Sequence, residues 1–173
     1  LEKGGKPDEA RSAYEALLKQ YPSLPEAAKA RSALIYIHYA KRDFNAVTNL
    51  FAAVNQGALP AAERSAIALM QAESLAALGN DRDALPAFEG ALKLGADKNI
   101  IAGRMFQLYY RFQKHKELLA LSASGVPGLA PDMVAAVRSE SMLASGLSGD
   151  ARQEAAKVPK SSAYYARACY VQA

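Results

Sequence analysis

Residue types that do chemistry are few in this chain, and they are poorly spaced for it. His38 and His115 lie 77 residues apart, and no His, Cys, Asp or Glu cluster stands at metal-ligand spacing. His38 sits in a stretch rich in Ala, Ile and Tyr and reads as a packed or edge histidine. Cys169, beside Tyr170, reads as a small core residue, and a single cysteine excludes an internal disulfide. Ser141, Ser145 and Ser148 have no base close in sequence, which a nucleophilic serine needs. Asp81 and Asp83 read as the acidic start of a helix rather than an acid/base couple. Gly125-Val126-Pro127-Gly128 is a breaker cluster, not a phosphate loop. No catalytic residue, metal or cofactor is expected.

The one uneven patch is basic. Lys98, Arg104, Arg111, Lys114 and Lys116 fall within 19 residues that contain no Asp or Glu. Arg104, Gln107, Arg111 and Lys114 recur at spacings of three and four, so they share one helix face or its continuation. Such a face is either a solvated surface balancing acids elsewhere or the basic end of a binding groove.

The elements that must carry these residues repeat in phase. Tyr14, Phe51 and Phe88 are 37 residues apart; Ala10, Val47 and Ala84 keep the interval, as do Leu17, Val54 and Ala91. One helical hairpin is written several times, and hairpins that cannot bury their apolar faces alone must stack. Composition agrees: 51% of the 173 residues are hydrophobic, Trp is absent, and much of the apolar content is alanine, the best helix former. The fold class expected is all-α, a solenoid of antiparallel hairpins.

Amphipathic spacing and breakers predict nine or ten helices: Pro7 to Gln20, Glu26 to Ala40, Asp43 to Val54, Pro60 to Leu78, and one from near Asp83 to Gly95. The starts at Pro7 and Asp83 use Pro7 in the first turn after Gly4 and Gly5, and Asp83 as a cap that keeps Pro86 in the first turn. Further pairs run from Lys98 to Phe112 with Lys114 to Ser124, and from Pro131 to Ser145 with Asp150 to Lys157. A last helix, capped by Ser161 or Ser162, reaches Ala173. Starting and stopping within its own pattern, the chain reads as a piece of something longer.

These residues resemble the tetratricopeptide repeat, whose second helix carries a small residue, an aromatic four later, a small or apolar residue three later and then a proline. Gly5, Ala10, Tyr14, Leu17 and Pro22 match it; Gly79, Ala84, Phe88 and Ala91 match it again. Phe44, Val47, Phe51 and Val54 match with Lys41-Arg42 in place of the glycine. The match is good over 4–95 and degenerate over 96–173, where Leu118 holds the small position and no aromatic follows. The whole of 1–173 is expected to form one such solenoid, with a right-handed superhelix as the resemblance implies.

The resemblance also implies a role. In that family the first helix of each pair lines a concave surface that binds protein or peptide. Carried across residue by residue, the lining would hold Lys29, Ser32, Tyr36 and Tyr39; then Leu69, Met70 and Glu73; then Arg104, Gln107, Tyr110 and Arg111. The lysine- and asparagine-based clamp for chaperone tails is not reproduced, because those positions hold Ser32, Tyr36, Gly103 and Gln107. The expected partner is an acidic protein or peptide, with self-association through the terminal repeats as a further contact. Net charge of +4, acids in most other helices and the lack of a repeated base-reading pair argue against nucleic acid. No run of 18 apolar residues exists to span a membrane. Leu17-Leu18-Lys19-Gln20-Tyr21-Pro22-Ser23 followed by Glu26-Ala27-Ala28 is similar to repeats of bacterial envelope proteins, among them outer-membrane assembly lipoproteins, Tol-associated coordinators and exopolysaccharide-export arms. That similarity implies a periplasmic or outer-membrane-associated scaffold. The alternatives are a cytoplasmic location and the non-catalytic arm of a larger envelope enzyme.

Overall fold

Alanine-rich segments punctuated by Gly and Pro fold into ten helices in the computed structural model, which describes residues 6–172 and contains no strand among them. These are α1 (Pro7–Gln20), α2 (Pro25–Ala40), α3 (Phe44–Ala52), α4 (Ala61–Ala77), α5 (Asp81–Lys93), α6 (Lys98–Arg111), α7 (His115–Leu121), α8 (Pro131–Ala144), α9 (Ser148–Ala155) and α10 (Tyr165–Gln172). Gly4, Gly5 and Ala173, to which the sequence reading gave roles, lie outside the described residues. Two compact units divide the chain, residues 1–96 and 97–173. The boundary falls where the sequence match turns from good to degenerate.

Within each unit, consecutive helices pack on one another through short connections, which makes them antiparallel hairpins. The turn inside a hairpin has one design. Its second helix is preceded by a residue in the left-handed region: Arg42 (φ 60°), Gly79 (φ 75°), Gln113 (φ 55°) and Gly146 (φ 79°). At each, two amides close the preceding helix: Asp43 N to His38 O, Asn80 N to Leu75 O, Lys114 N to Tyr109 O and Leu147 N to Met142 O run six residues to one. The left-handed residue itself donates to the carbonyl three back. This is the Schellman arrangement, which satisfies carbonyls the helix end would orphan. Asp43 then caps α3 by accepting from Ala46 N at 3.2 Å, as expected. Asn80, rather than Asp83, caps α5, so that helix starts earlier than expected and Pro86 lies in its second turn. The ring is exposed there, and the carbonyl of Arg82 that loses a donor can face water.

Spacing between the turns is 37, then 34, then 33 residues. The same steps carry the small position of the second helix from Ala10 to Val47, Ala84, Leu118 and Ala151, and none is more than 1% exposed. The repeat therefore continues past 131, where the sequence offered only helical rhythm. The aromatic position is less uniform. Phe88 is fully buried, whereas Phe51 and Tyr14 are half-buried, Phe51 packing against the cluster of Ala28, Ile35, Val47, Leu59 and Ile67. The same steps bring this position to Ser122 and Ala155.

Several boundaries differ from expectation. α3 ends at Ala52, leaving Val54 in the connector; α7 is only seven residues and ends at Leu121, because Ser122, Ser124 and Gly125 supply no helix-favouring run; α9 starts at Ser148. Cys169 is half-buried rather than core: Ala168 and Val171 take the inward face of α10, and the thiol lies beside Tyr165. His38 is the edge histidine expected, its Nδ1 3.0 Å from Asp43 Oδ2.

Phe88→Ala should cost about 3–5 kcal/mol and the half-buried Phe51→Ala about 1–2 kcal/mol, read by urea unfolding. Gln113→Gly should stabilise by about 1 kcal/mol, since a left-handed turn strains any residue with a Cβ. A midpoint that falls on glycine substitution would show that the Gln113 side chain matters more than its backbone.

Candidate functional site

The expected lining residues lie on first helices of the hairpins, α2 and α4 in one unit and α6 in the other. Lys29, Tyr36, Arg104, Gln107, Tyr110 and Arg111 are exposed, and Tyr39, Met70 and Glu73 are half-buried. Two expected positions turn inward instead. Ser32 is fully buried, its hydroxyl without a partner among the described residues, and Gly103 lies against Leu129 in the connector after α7. Small residues at that register let neighbouring helices approach, so they seal the stack rather than line its open face.

The structure brings two expected residues together in the first unit. Tyr39 of α2 donates its phenol to the carboxylate of Glu73 on α4, and its pKa is pushed up to about 12, by burial first and then by that bond. Tyr36 is also raised, by burial and by the nearby carboxylate of Glu63. Met70 packs on the core cluster beneath. The open face of this unit thus offers tyrosine rings whose acidic neighbours are engaged or adjacent.

In the second unit the same bond recurs from equivalent positions. Stepping Tyr39 forward by 37 and 34 gives Tyr110; stepping Glu73 forward by 34 and 33 gives Glu140. Tyr110 donates to Glu140 Oε2 at 2.7 Å, linking α6 to α8. A third helix joins through Arg167 of α10, which reaches both Glu140 oxygens at 2.8 and 2.6 Å and the Tyr110 hydroxyl at 2.6 Å. Its guanidinium also lies over the Tyr110 ring, 5.2 Å from the centroid. Burial works against the Glu140 charge, but the Arg167 and Tyr110 hydrogen bonds outweigh it and hold its pKa below the ordinary value. Beside this network a recess of about 520 Å³ opens between Tyr110, Gln113, His115, Ala144 and Tyr170.

Sequence reasoning expected Tyr110 as a bare ring in an acid-free patch. Glu140 and Arg167 were missed, since the acid arrives from the next hairpin and only the shortened period reveals its register. Arg104 and Gln107 remain exposed on α6 with no hydrogen bond or ion pair among the described residues, whereas Arg111 and Lys114 already have partners in the protein. Residues 97–173 hold ten Lys or Arg and six Asp or Glu, against eleven of each in 1–96, so the whole formal charge of +4 lies in the second unit. Among the described residues no group of three His, Cys, Asp or Glu is placed to hold a metal, and no helix is long and apolar enough to cross a membrane.

A tetratricopeptide repeat family model matches residues 1–23, a segment whose described residues include α1 and its exit turn. Members of that family are in general non-catalytic protein-interaction repeats. No curated protein and no solved structure matches the chain.

Because the pKa of Glu140 is depressed in the fold, its contribution is complete at neutral pH. It is lost as pH falls below the value of about 4.3 that an unfolded glutamate has. Glu140→Gln should therefore lower stability at neutral pH and make the decline into acid shallower. Urea unfolding across the acid range checks both; parallel curves for the two proteins would mean the network contributes nothing.

Proposed function

We propose that this chain is a non-enzymatic scaffold that binds an acidic protein or peptide on the open face of its first helices. The observation that carries the reading is the pairing of exposed, unpartnered Arg104 and Gln107 with a rigidly held Tyr110 in the unit that bears all the net charge. Tyrosine supplies contact area at low entropic cost, and a guanidinium recognises carboxylates in two-pronged fashion. The acid beside Tyr110, Glu140, is neutralised by Arg167, so it does not repel an acidic partner there.

The placement we propose is the bacterial envelope, in an assembly or export system. It rests on the junction from Leu17 to Ala28, which forms the α1–α2 turn. There Tyr21 N bonds Leu17 O at 2.8 Å and Arg31 reaches Pro22 O at 3.0 Å. Fractionation of the source cells with an antibody to this chain tests the placement, and recovery from the cytosol would reject it.

For binding, the wild-type chain is used to select from a displayed random peptide library. Asp- and Glu-rich sequences should be enriched. Arg104→Glu with Gln107→Glu should weaken the best of them by about tenfold or more while leaving the melting curve unchanged, as both positions are exposed. Enrichment of neutral or basic peptides, or equal binding by the double variant, would overturn the acidic-partner reading.

A further inference from the structure

In α3 and α5 an aromatic stands four residues beyond the small position, and in the second unit that place falls to Ser122, just past the end of the short α7. Neither a ring nor a helix turn is present to fill the space. A cavity of about 570 Å³ opens there, walled by Val126, Leu129, Val134 and Ala135. That size and a mostly apolar wall suit a small organic ligand.

One charged group marks the floor. Arg138 of α8 reaches under the missing ring: its Nε donates to Glu154 Oε1 at 2.9 Å, and its Nη1 donates to Ser122 Oγ at 2.9 Å and to Leu119 O at 3.3 Å. The side chain is 14% exposed and firmly oriented. Its Nη2 makes no hydrogen bond among the described residues, and Arg138 is one of the residues that line the cavity. The Glu154 carboxylate is shared with Lys157 at 2.5 Å, at the same rim, and Asp132 accepts from Ser162 at 2.5 Å. Glu154 is thus shared by Arg138 and Lys157, and Asp132 is held by the Ser162 hydroxyl, while the second guanidinium nitrogen of Arg138 has no hydrogen-bond partner among the described residues.

We propose that this cavity binds a small aromatic carboxylate. The ring takes the space that phenylalanine occupies in the earlier hairpins, and the carboxylate accepts from Arg138 Nη2, with Lys157 adding charge at the mouth. This site is separate from the face formed by Arg104, Gln107 and Tyr110 and does not depend on what binds there.

Phenylacetate is the probe, titrated into the full chain while backbone amides are followed by NMR. Phenethylamine and phenylethanol, which carry the same ring, serve as controls. Expected are shifts confined to residues 122–138 and 154–157, and binding of phenylacetate about tenfold tighter than of either control. Ser124→Trp, at the exposed rim, should abolish the shifts, and Lys157→Gln should weaken binding by a smaller factor. Ala123→Trp, also exposed, serves if Ser124→Trp melts early. Equal binding of the amine or the alcohol, shifts elsewhere, or no shifts would overturn the proposal. So would tighter binding of a capped phenylalanine peptide, which would make the hole a receptor for a protein side chain.

Discussion

The structure depends on close approach at one position in every second helix. Ala10, Val47, Ala84, Leu118 and Ala151 are sealed from solvent, and a larger or polar group at any of them would force the two helices of a hairpin apart. Everything on the open face follows from that contact. It fixes the distance between successive first helices, and so decides whether a side chain on one can reach a side chain on the next. The bonds Tyr39 to Glu73 and Tyr110 to Glu140 form because, in each unit, successive first helices stand within reach of these side chains.

The left-handed turn does the complementary work. A hairpin needs its second helix to start within a residue or two of the first one's end, and one residue with positive φ achieves this while closing the orphan carbonyls. Glycine does it without strain at 79 and 146. Arg42 and Gln113 do it with strain, and Arg42 recovers some by lying over the ring of Phe44, 5.9 Å from its centroid. The geometry is thus conserved between hairpins by backbone bonding even where the side chains that announce it have changed.

That distinction explains what could be read from the chain. Tyr14, Phe51 and Phe88 in constant phase made the helices of 1–96 legible, including Asp43 as a cap. Beyond them the period shortens, the aromatic becomes Ser122 and the glycine becomes Gln113, so the repeat is carried by hydrogen bonds that no residue type announces. The candidate lining residues were placed by register alone; Arg104 and Tyr110 are exposed, and Tyr39 and Glu73 are half-buried and bonded to each other. The register failed for Ser32 and Gly103, because a solenoid helix buries more than one stripe and small residues choose the inner one. Glu140 and Arg167 were out of reach, since their bonds to Tyr110 span 30 and 57 residues across helices whose spacing had drifted.

Degeneracy in a repeat has physical consequences beyond weak resemblance. Losing the aromatic at 122 removes a ring that, at position 88, is wholly buried, and apolar surface around such a gap loses its dispersion contacts. Arg138 fills part of the space but brings a charge that must be desolvated. Glu154 offsets that charge, and Lys157 in turn shares the carboxylate. A largely buried pair of this kind is weak evidence for stability, because apolar packing would do as well or better. What it provides instead is an oriented donor at the floor of an apolar space. The same substitution that blurs the repeat therefore brings a hydrophobic wall and a fixed charge together in the second unit.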